Sequence, residues 1–360
     1  MKHMYIHIPF CSHICSYCDF CKMFKNDKMI DNYLDALKKE IDEYYNYEEM
    51  ETIYIGGGTP SCLNSKQLDK LFNILSVVKI KEGYEYTFEC NPCDINEELI
   101  DILVKNKVNR LSIGIESFNI DNLGFMERKV DFKDIQNKIN MIRNKGINNI
   151  NLDLIYGIPE ENIKTLKRDL NLLVKLKPNH ISTYSLQIEK HTKIYNEGIN
   201  PINEELDSKM YFTIINYLKK HKYNHYEISN FALKGYESRH NLSYWNNEEY
   251  YGFGLGASGY IDGFRYDNTR NLSRYMSGDY HLNESLLSLD DKMYDEVMLG
   301  LRKMKGINLK EFDNKYGVKF EDKYDINNLI KNKELIIKDG YVFISSKYLY
   351  LINEILIKIL

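Results

Sequence analysis

Cys11, Cys15 and Cys18 stand in the run IHIPFCSHICSYCDF with the spacing C-x3-C-x2-C, followed at once by an acidic and an aromatic residue. Thiolates are the protein ligands of iron–sulfur clusters. Three in one short loop suit three irons of a [4Fe–4S] cluster and leave the fourth iron open to a small molecule. A cluster with an open iron can do chemistry as well as store an electron. Cys21 extends the run to C-x3-C-x2-C-x2-C, so a zinc site and a closed four-thiolate cluster stay open at this point. Zinc sites usually pair two knuckles well apart in sequence, whereas these four cysteines share one loop. A disulfide framework is disfavoured by the odd total of 7 cysteines and by a 360-residue chain that needs no staples.

Further chemistry-bearing residues follow at intervals. Gly56-Gly57-Gly58-Thr59-Pro60 would let backbone N–H groups approach a carboxylate, and it lacks the Gly-Lys-Ser/Thr ending of a P-loop. Glu89 closes TFE, Glu116 stands in LSIGIES, and Asp153 in NLDLIYGIP. Each acid would accept hydrogen bonds from a ribose or an amino group, or stand as a solvated strand-end acid. Arg128 is a cation able to grip a carboxylate with two bonds.

These residues need a scaffold, and the hydrophobic period supplies one. Apolar runs predict strands over Met4–Ile8, Thr52–Ile55, Tyr84–Glu89, Arg110–Ile115, Asn151–Tyr156 and His180–Ser185. Between them, helical patterns cover Ile30–Tyr45, Ser65–Val77, Glu97–Lys105, Phe132–Lys145 and Ile163–Leu176. Alternating strands and helices predict a parallel sheet, here an α/β fold of the partial (β/α)6 TIM-like kind. Such barrels carry function on the loops after the strands, where the cysteine loop also falls. The expected organisation is a partial barrel over 1–230, a Gly- and Tyr-rich extension over 231–285, and a small winged-helix-like α+β domain over 286–360. The last is expected to cover the barrel mouth or to present a partner surface.

The sequence resembles the radical S-adenosylmethionine (SAM) enzymes, in the branch of the oxygen-independent coproporphyrinogen III oxidases. The resemblance rests on YIHIPFCSHICSYCDF, YIGGGTPS, TFECNP, NRLSIGIESF, NLDLIYGIP and EISNFALKGYESRHNLSYW, from about Tyr5 to about Gly259. It implies a [4Fe–4S] cluster on Cys11, Cys15 and Cys18, with SAM chelating the open iron and cleaved by an electron from the cluster. It places Tyr5, Gly57, Gly58, Thr59, Glu89, Arg128 and Asp153 against SAM. Glu116 takes a position where the family usually has Gln, so a group that only accepts hydrogen bonds replaces one that also donates.

Two subgroups share this scaffold. The oxidases, which decarboxylate two propionates of coproporphyrinogen III to vinyls, carry C-x3-C-x2-C-x-C. Here Phe20 stands at that fourth position, as in the heme chaperones, which bind heme and pass it to respiratory proteins. His240-Asn241-Leu242-Ser243-Tyr244-Trp245 matches the chaperones' HN-x-x-YW motif. The resemblance therefore implies heme as ligand and a heme-acceptor protein as partner. His240 is the candidate for heme iron and Trp245, the single tryptophan, for stacking on the ring. The oxidase and a non-catalytic heme-binding module with a structural cluster remain as alternatives.

A net charge of −4 predicts no general nucleic-acid field, and no apolar run reaches the ~20 residues that span a bilayer. MKHMYIHIPF has no signal-peptide core and runs straight into a strand. Reduced cysteines and an oxygen-sensitive cluster point to the cytoplasm, with contact at the membrane surface during heme delivery.

Overall fold

The computed structural model describes residues 2–360. Six parallel strands lie side by side in chain order: β1 (His3–Ile8), β2 (Glu49–Gly57), β3 (Lys79–Cys90), β4 (Arg110–Glu116), β5 (Asn149–Tyr156) and β6 (His180–Ser185). The expected six-strand parallel unit is present, with β2 and β3 starting earlier than their apolar runs. Helices Asp27–Tyr44, Ser65–Leu75, Glu97–Lys105, Phe132–Asn144 and Ile163–Lys175 connect them.

Alternation along each strand decides which side chains meet the helices. Met4, Ile6 and Ile8 on β1, Ile53 and Ile55 on β2, and Leu111, Ile113 and Ile115 on β4 enter the main core. The first helix answers with Ile30, Leu34, Leu37 and Ile41, one stripe at three- and four-residue spacing. Helix starts are set by asparagine: Asn26, Asn64 and Asn96 each accept a bond from the first turn. The intervening strand positions are polar and face inward: Tyr54, Glu89, Arg110, Ser112, Asn151, Asp153 and Ser182 all line one cavity. The barrel interior is therefore a polar lumen.

The sheet does not stop at six strands. Beyond β6 lie β8 (Asn230–Ala232) and β7 (Asn224–Glu227), both antiparallel to their neighbours. Beyond β1 lies β9 (Tyr250–Phe253), parallel to it, and then an antiparallel meander of β10 (Ser258–Ile261), β11 (Phe264–Asn268) and β12 (His281–Leu286). Residues 224–286, which include the Gly- and Tyr-rich stretch, thus extend the same sheet on both edges, giving 12 strands. The added strands are too short to show a period.

The C-terminal region has helices Leu289–Gly300, Leu309–Tyr316, Phe320–Lys323 and Asn327–Lys331 and a three-stranded sheet of β13 (Ile307–Asn308), β14 (Leu335–Lys338) and β15 (Tyr341–Ile344). A further helix, Ile352–Ile359, closes the region. Met304 N–H bonds to the Tyr226 carbonyl at 3.0 Å, and the Tyr350 hydroxyl to Asp207 at 2.8 Å. The first bond ties the region to the far edge strand of the sheet and the second to the helix Glu204–Lys220. Among the described residues, no helix is long and apolar enough to cross a membrane.

Candidate metal and cofactor site

The Cys11–Cys18 loop leaves the end of β1 and folds over the lumen. A two-strand pair, Phe10–Cys11 with Met23–Phe24, pins both ends of the loop. Cys11, Cys15 and Cys18 all line the lumen cavity, whose volume is about 460 Å³. Cys11 is buried and its thiol is pushed up to about 11 by loss of water, partly offset by the Thr59 hydroxyl 3.4 Å from its sulfur. Iron binding must therefore displace a proton there. Among the described residues, no three His, Cys, Asp or Glu side chains converge on a single ion's position. Ligands that each hold a different iron need no such convergence.

Cys21 lies elsewhere. It lines a second, open groove of about 370 Å³ with Tyr5, His7, Tyr244, Tyr250 and Arg270. Its carbonyl accepts a bond from His7 Nε2 at 2.8 Å. Asp19 and Phe20 border both spaces. Phe20 is 65% exposed, a large aromatic side chain left at the rim.

The glycine run is demanded by the protein before any ligand arrives. A Cβ at Gly56 would meet the Glu89 carboxylate at 2.7 Å. Gly57 holds φ +116 against the His7 ring. A Cβ at Gly58 would lie 2.8 Å from the Pro9 backbone and 3.0 Å from Cys11 sulfur. The run thus seats the cluster loop as well as opening a backbone cradle. Gly57 N–H already donates to Glu89 Oε2 at 3.0 Å, and Tyr54 hydroxyl to Oε1 at 2.7 Å.

Three buried acids share the lumen. Burial pushes Glu89 and Glu116 up to about 7 and raises Asp153 as well. Opposing this, Arg128 lies beside Glu116, and Asn151 Nδ2 donates to Asp153 at 2.7 Å. Glu116 sits at φ +66 where the β4–β5 register slips, which turns its carboxyl inward. Arg128 donates to Cys15 sulfur at 3.3 Å and to the Gly114 carbonyl, with its Nε left unpartnered and buried. A spare donor on a buried guanidinium at the cluster loop suits a carboxylate.

Of the residues expected around SAM, Gly57, Gly58, Thr59, Glu89, Glu116, Arg128 and Asp153 line this cavity; Tyr5 does not. Tyr5 bonds His7 Nδ1 at 2.9 Å and faces the groove on the Cys21 side. Sequence reasoning passed over Arg110, Tyr54, Tyr184 and Asn241, which also line the lumen. The inward phase of their strands was the available signal for the first three.

His240 and Trp245, the residues expected at heme, line neither of these two spaces. His240 is 1% exposed, and both ring nitrogens are engaged: Nδ1 with Thr52 Oγ1 at 2.6 Å, Nε2 with Tyr244 hydroxyl at 2.8 Å. Its ring stacks on Tyr54 at 5.1 Å. No nitrogen is left for iron. Trp245 lines neither cavity and turns its N–H toward the buried Glu227 carboxylate, both atoms lacking a partner in hydrogen-bond geometry. The motif is the helix Arg239–Trp245, where residues four apart share a face but residues five apart do not. Tyr244 therefore joins His240, and Trp245 points away.

Residues 5–173 match the radical SAM superfamily and residues 287–351 the HemN C-terminal domain. The heme chaperone HemW of Lactococcus lactis is 38% identical over 366 residues, covering 99% of this chain and 96% of that protein. The chain belongs to the HemW family of radical SAM proteins. The Bacillus subtilis member is 39% identical, covering 88% of this chain and 87% of its own. In fold, the coproporphyrinogen III oxidase HemN from Escherichia coli superposes with a TM-score of 0.88 at 22% identity, covering 99% of this chain and 89% of that one. The family implies a [4Fe–4S] cluster and SAM, and the residues present fit both: three thiols at one cavity mouth, a glycine cradle, buried acceptors and a guanidinium with a spare donor.

Proposed function

We propose that this chain is a heme chaperone that binds heme and hands it to an acceptor protein, keeping a complete SAM site beside its cluster. The observation that carries the reading is end-to-end similarity to proteins named as heme chaperones, with Phe20 at the position where oxidases carry a fourth cysteine. Phe20 stands exposed where the lumen meets the groove, so an apolar face replaces a thiol at the junction of the two spaces. Aromatic faces suit a flat macrocycle, and Tyr244 and Tyr250 add two more along the groove.

Bound together, cluster and SAM supply one-electron chemistry. The chain's own residues bind and shield. Arg128 pairs with a carboxylate next to Cys15; Glu89, Glu116 and Asp153 accept from amino and hydroxyl groups; the glycine run brings backbone close. Burial of the acids makes their ionisation depend on those donors, so the site is tuned to a ligand that brings positive charge and hydroxyls.

The reading places the protein in the cytoplasm, at the membrane surface during handover. Anaerobically reconstituted protein loaded with heme and mixed with an apo-globin tests it. The reading expects stoichiometric heme binding and transfer to the globin faster than heme leaves the protein into buffer alone. A chain that binds no heme would refute it.

A further inference from the structure

The lumen has a second arginine. Arg110 opens β4 and is 2% exposed, among the largest fully buried side chains of the protein. It lines the lumen cavity, yet its one side-chain bond is a long one, 3.4 Å to Thr87 Oγ1, and its Nε has no partner. A guanidinium carries five donors, and burying one this bare is costly unless something completes it.

The neighbouring acids do not complete it. Glu89 and Asp153 face Arg110, but Glu89 is held by Tyr54 and Gly57 N–H, and Asp153 by Asn151 and Ser112. Among the described residues no carboxylate comes within ion-pair distance of Arg110. Arg128 serves a different stretch of the strand. Arg128 meets β4 at the Gly114 carbonyl, four residues further along, which is roughly 13 Å of strand. The helix Arg239–Trp245 closes this end of the lumen, bonded to β2 through His240 and Thr52 and to β3 through Glu85. Asn241 on that helix lines the same cavity and brings an amide.

We propose that the closed end of the lumen is a carboxylate site built on Arg110, separate from the position Arg128 serves. A carboxylate is planar and matches the guanidinium fork with two parallel bonds. Burial raises Glu89 and Asp153, so an entering anion meets acids that take up protons more readily than usual and repel it less. Two sources bring this chemistry: a propionate arm of the tetrapyrrole, which rests on the chaperone reading, and a free small carboxylate, which does not. With SAM also in about 460 Å³, there is room at this end for an arm or a small acid, not for a macrocycle.

The test uses the full reconstituted chain and two arms. In the first, heme and heme dimethyl ester are titrated into wild-type, Arg110→Gln and Arg110→Lys proteins. An arm of the tetrapyrrole predicts at least tenfold preference of wild type for the diacid, erased in Arg110→Gln and partly kept in Arg110→Lys. In the second, ¹³C-labelled propionate is titrated in the presence of SAM. A free carboxylate predicts saturable line broadening in wild type that vanishes in Arg110→Gln, with no diacid preference in the first arm. The SAM-induced change in the cluster EPR spectrum should survive in Arg110→Gln. Equal binding of diacid and diester together with no propionate binding overturns the inference, as does loss of the SAM response in an Arg110→Gln variant that keeps its carboxylate preference. Failure to bind either porphyrin while propionate binds through Arg110 refutes the chaperone reading and sustains the site. If Arg110→Gln does not fold, Arg110→Lys and the wild-type comparisons decide alone.

Discussion

Cys18 and Cys21 are three residues apart and open into different spaces, Cys18 into the lumen and Cys21 into the groove beside Tyr5 and Arg270. The loop bends between them at Phe20. Four cysteines that look like one set in sequence are three and one in space. Replacing Cys11, Cys15 or Cys18 with Ala should each abolish the oxygen-labile cluster, while Cys21→Ala should keep iron content and the visible spectrum within about a fifth of wild type. Loss of the cluster in Cys21→Ala would mean that the loop rearranges into a closed four-thiolate site.

Gly58→Val should damage the cluster before it damages SAM binding. Its Cβ would fall 2.8 Å from the Pro9 carbonyl carbon and 2.9 Å from the Phe10 carbonyl oxygen, both backbone, and 3.0 Å from Cys11 sulfur. Iron content should fall with thermal stability. Arg128→Ala should keep iron but weaken SAM by about tenfold or more, the scale of a lost charge-assisted bond of roughly 1.5–3 kcal/mol. Cluster EPR with and without SAM separates the two.

His240→Ala removes a buried ring bonded to Thr52 and Tyr244 and stacked on Tyr54. A loss of about 2–4 kcal/mol is expected from the cavity and the orphaned Tyr244 hydroxyl, while Thr52 keeps its bond to His3 Nδ1 at 2.9 Å. The Soret maximum of bound heme should not move, because neither ring nitrogen faces a ligand. A shifted Soret band with unchanged stability would restore His240 as an iron ligand.

The apo fold should lose stability as pH rises through neutrality. Burial pushes Glu40 up to about 7 from an ordinary 4.5, against bonds from Tyr275, Gly254 and Asn268 that favour the charged form. A raised carboxyl contributes stability in full below the unfolded value, and the contribution is lost as pH passes the folded value. The most Glu40 can contribute is on the order of 3 kcal/mol. Glu89, Glu116, Glu161 and Glu227 are also pushed up to about 7 and add to the same slope. Urea midpoints should fall from about pH 5 to about pH 8. Glu40→Gln gives up one acceptor, so it should cost stability throughout while flattening the slope. A flat wild-type profile would contradict this.

Much of this was legible because β1 to β6 alternate so regularly. Apolar phase marked the core, and the other phase placed Glu89 and Asp153 in the lumen. Tyr5 obeys the same alternation but misses the SAM cavity, because β9 pairs with β1 and opens a groove that no period announced. The spread of HNLSYW was not legible in the motif, because a helix sends His240 and Trp245, five residues apart, to different faces. Arg110 was passed over because a strand-end arginine looks like a surface charge until the helix Arg239–Trp245 is seen closing that end.

One measurement separates chaperone from oxidase. Anaerobically reconstituted full-length protein is given SAM, a reductant and coproporphyrinogen III, and products are followed by mass alongside a heme titration. A chaperone binds one heme per chain and forms no vinyl product. Multiple-turnover decarboxylation of coproporphyrinogen III, with SAM consumed in proportion, would contradict the chaperone reading and make this chain an oxidase.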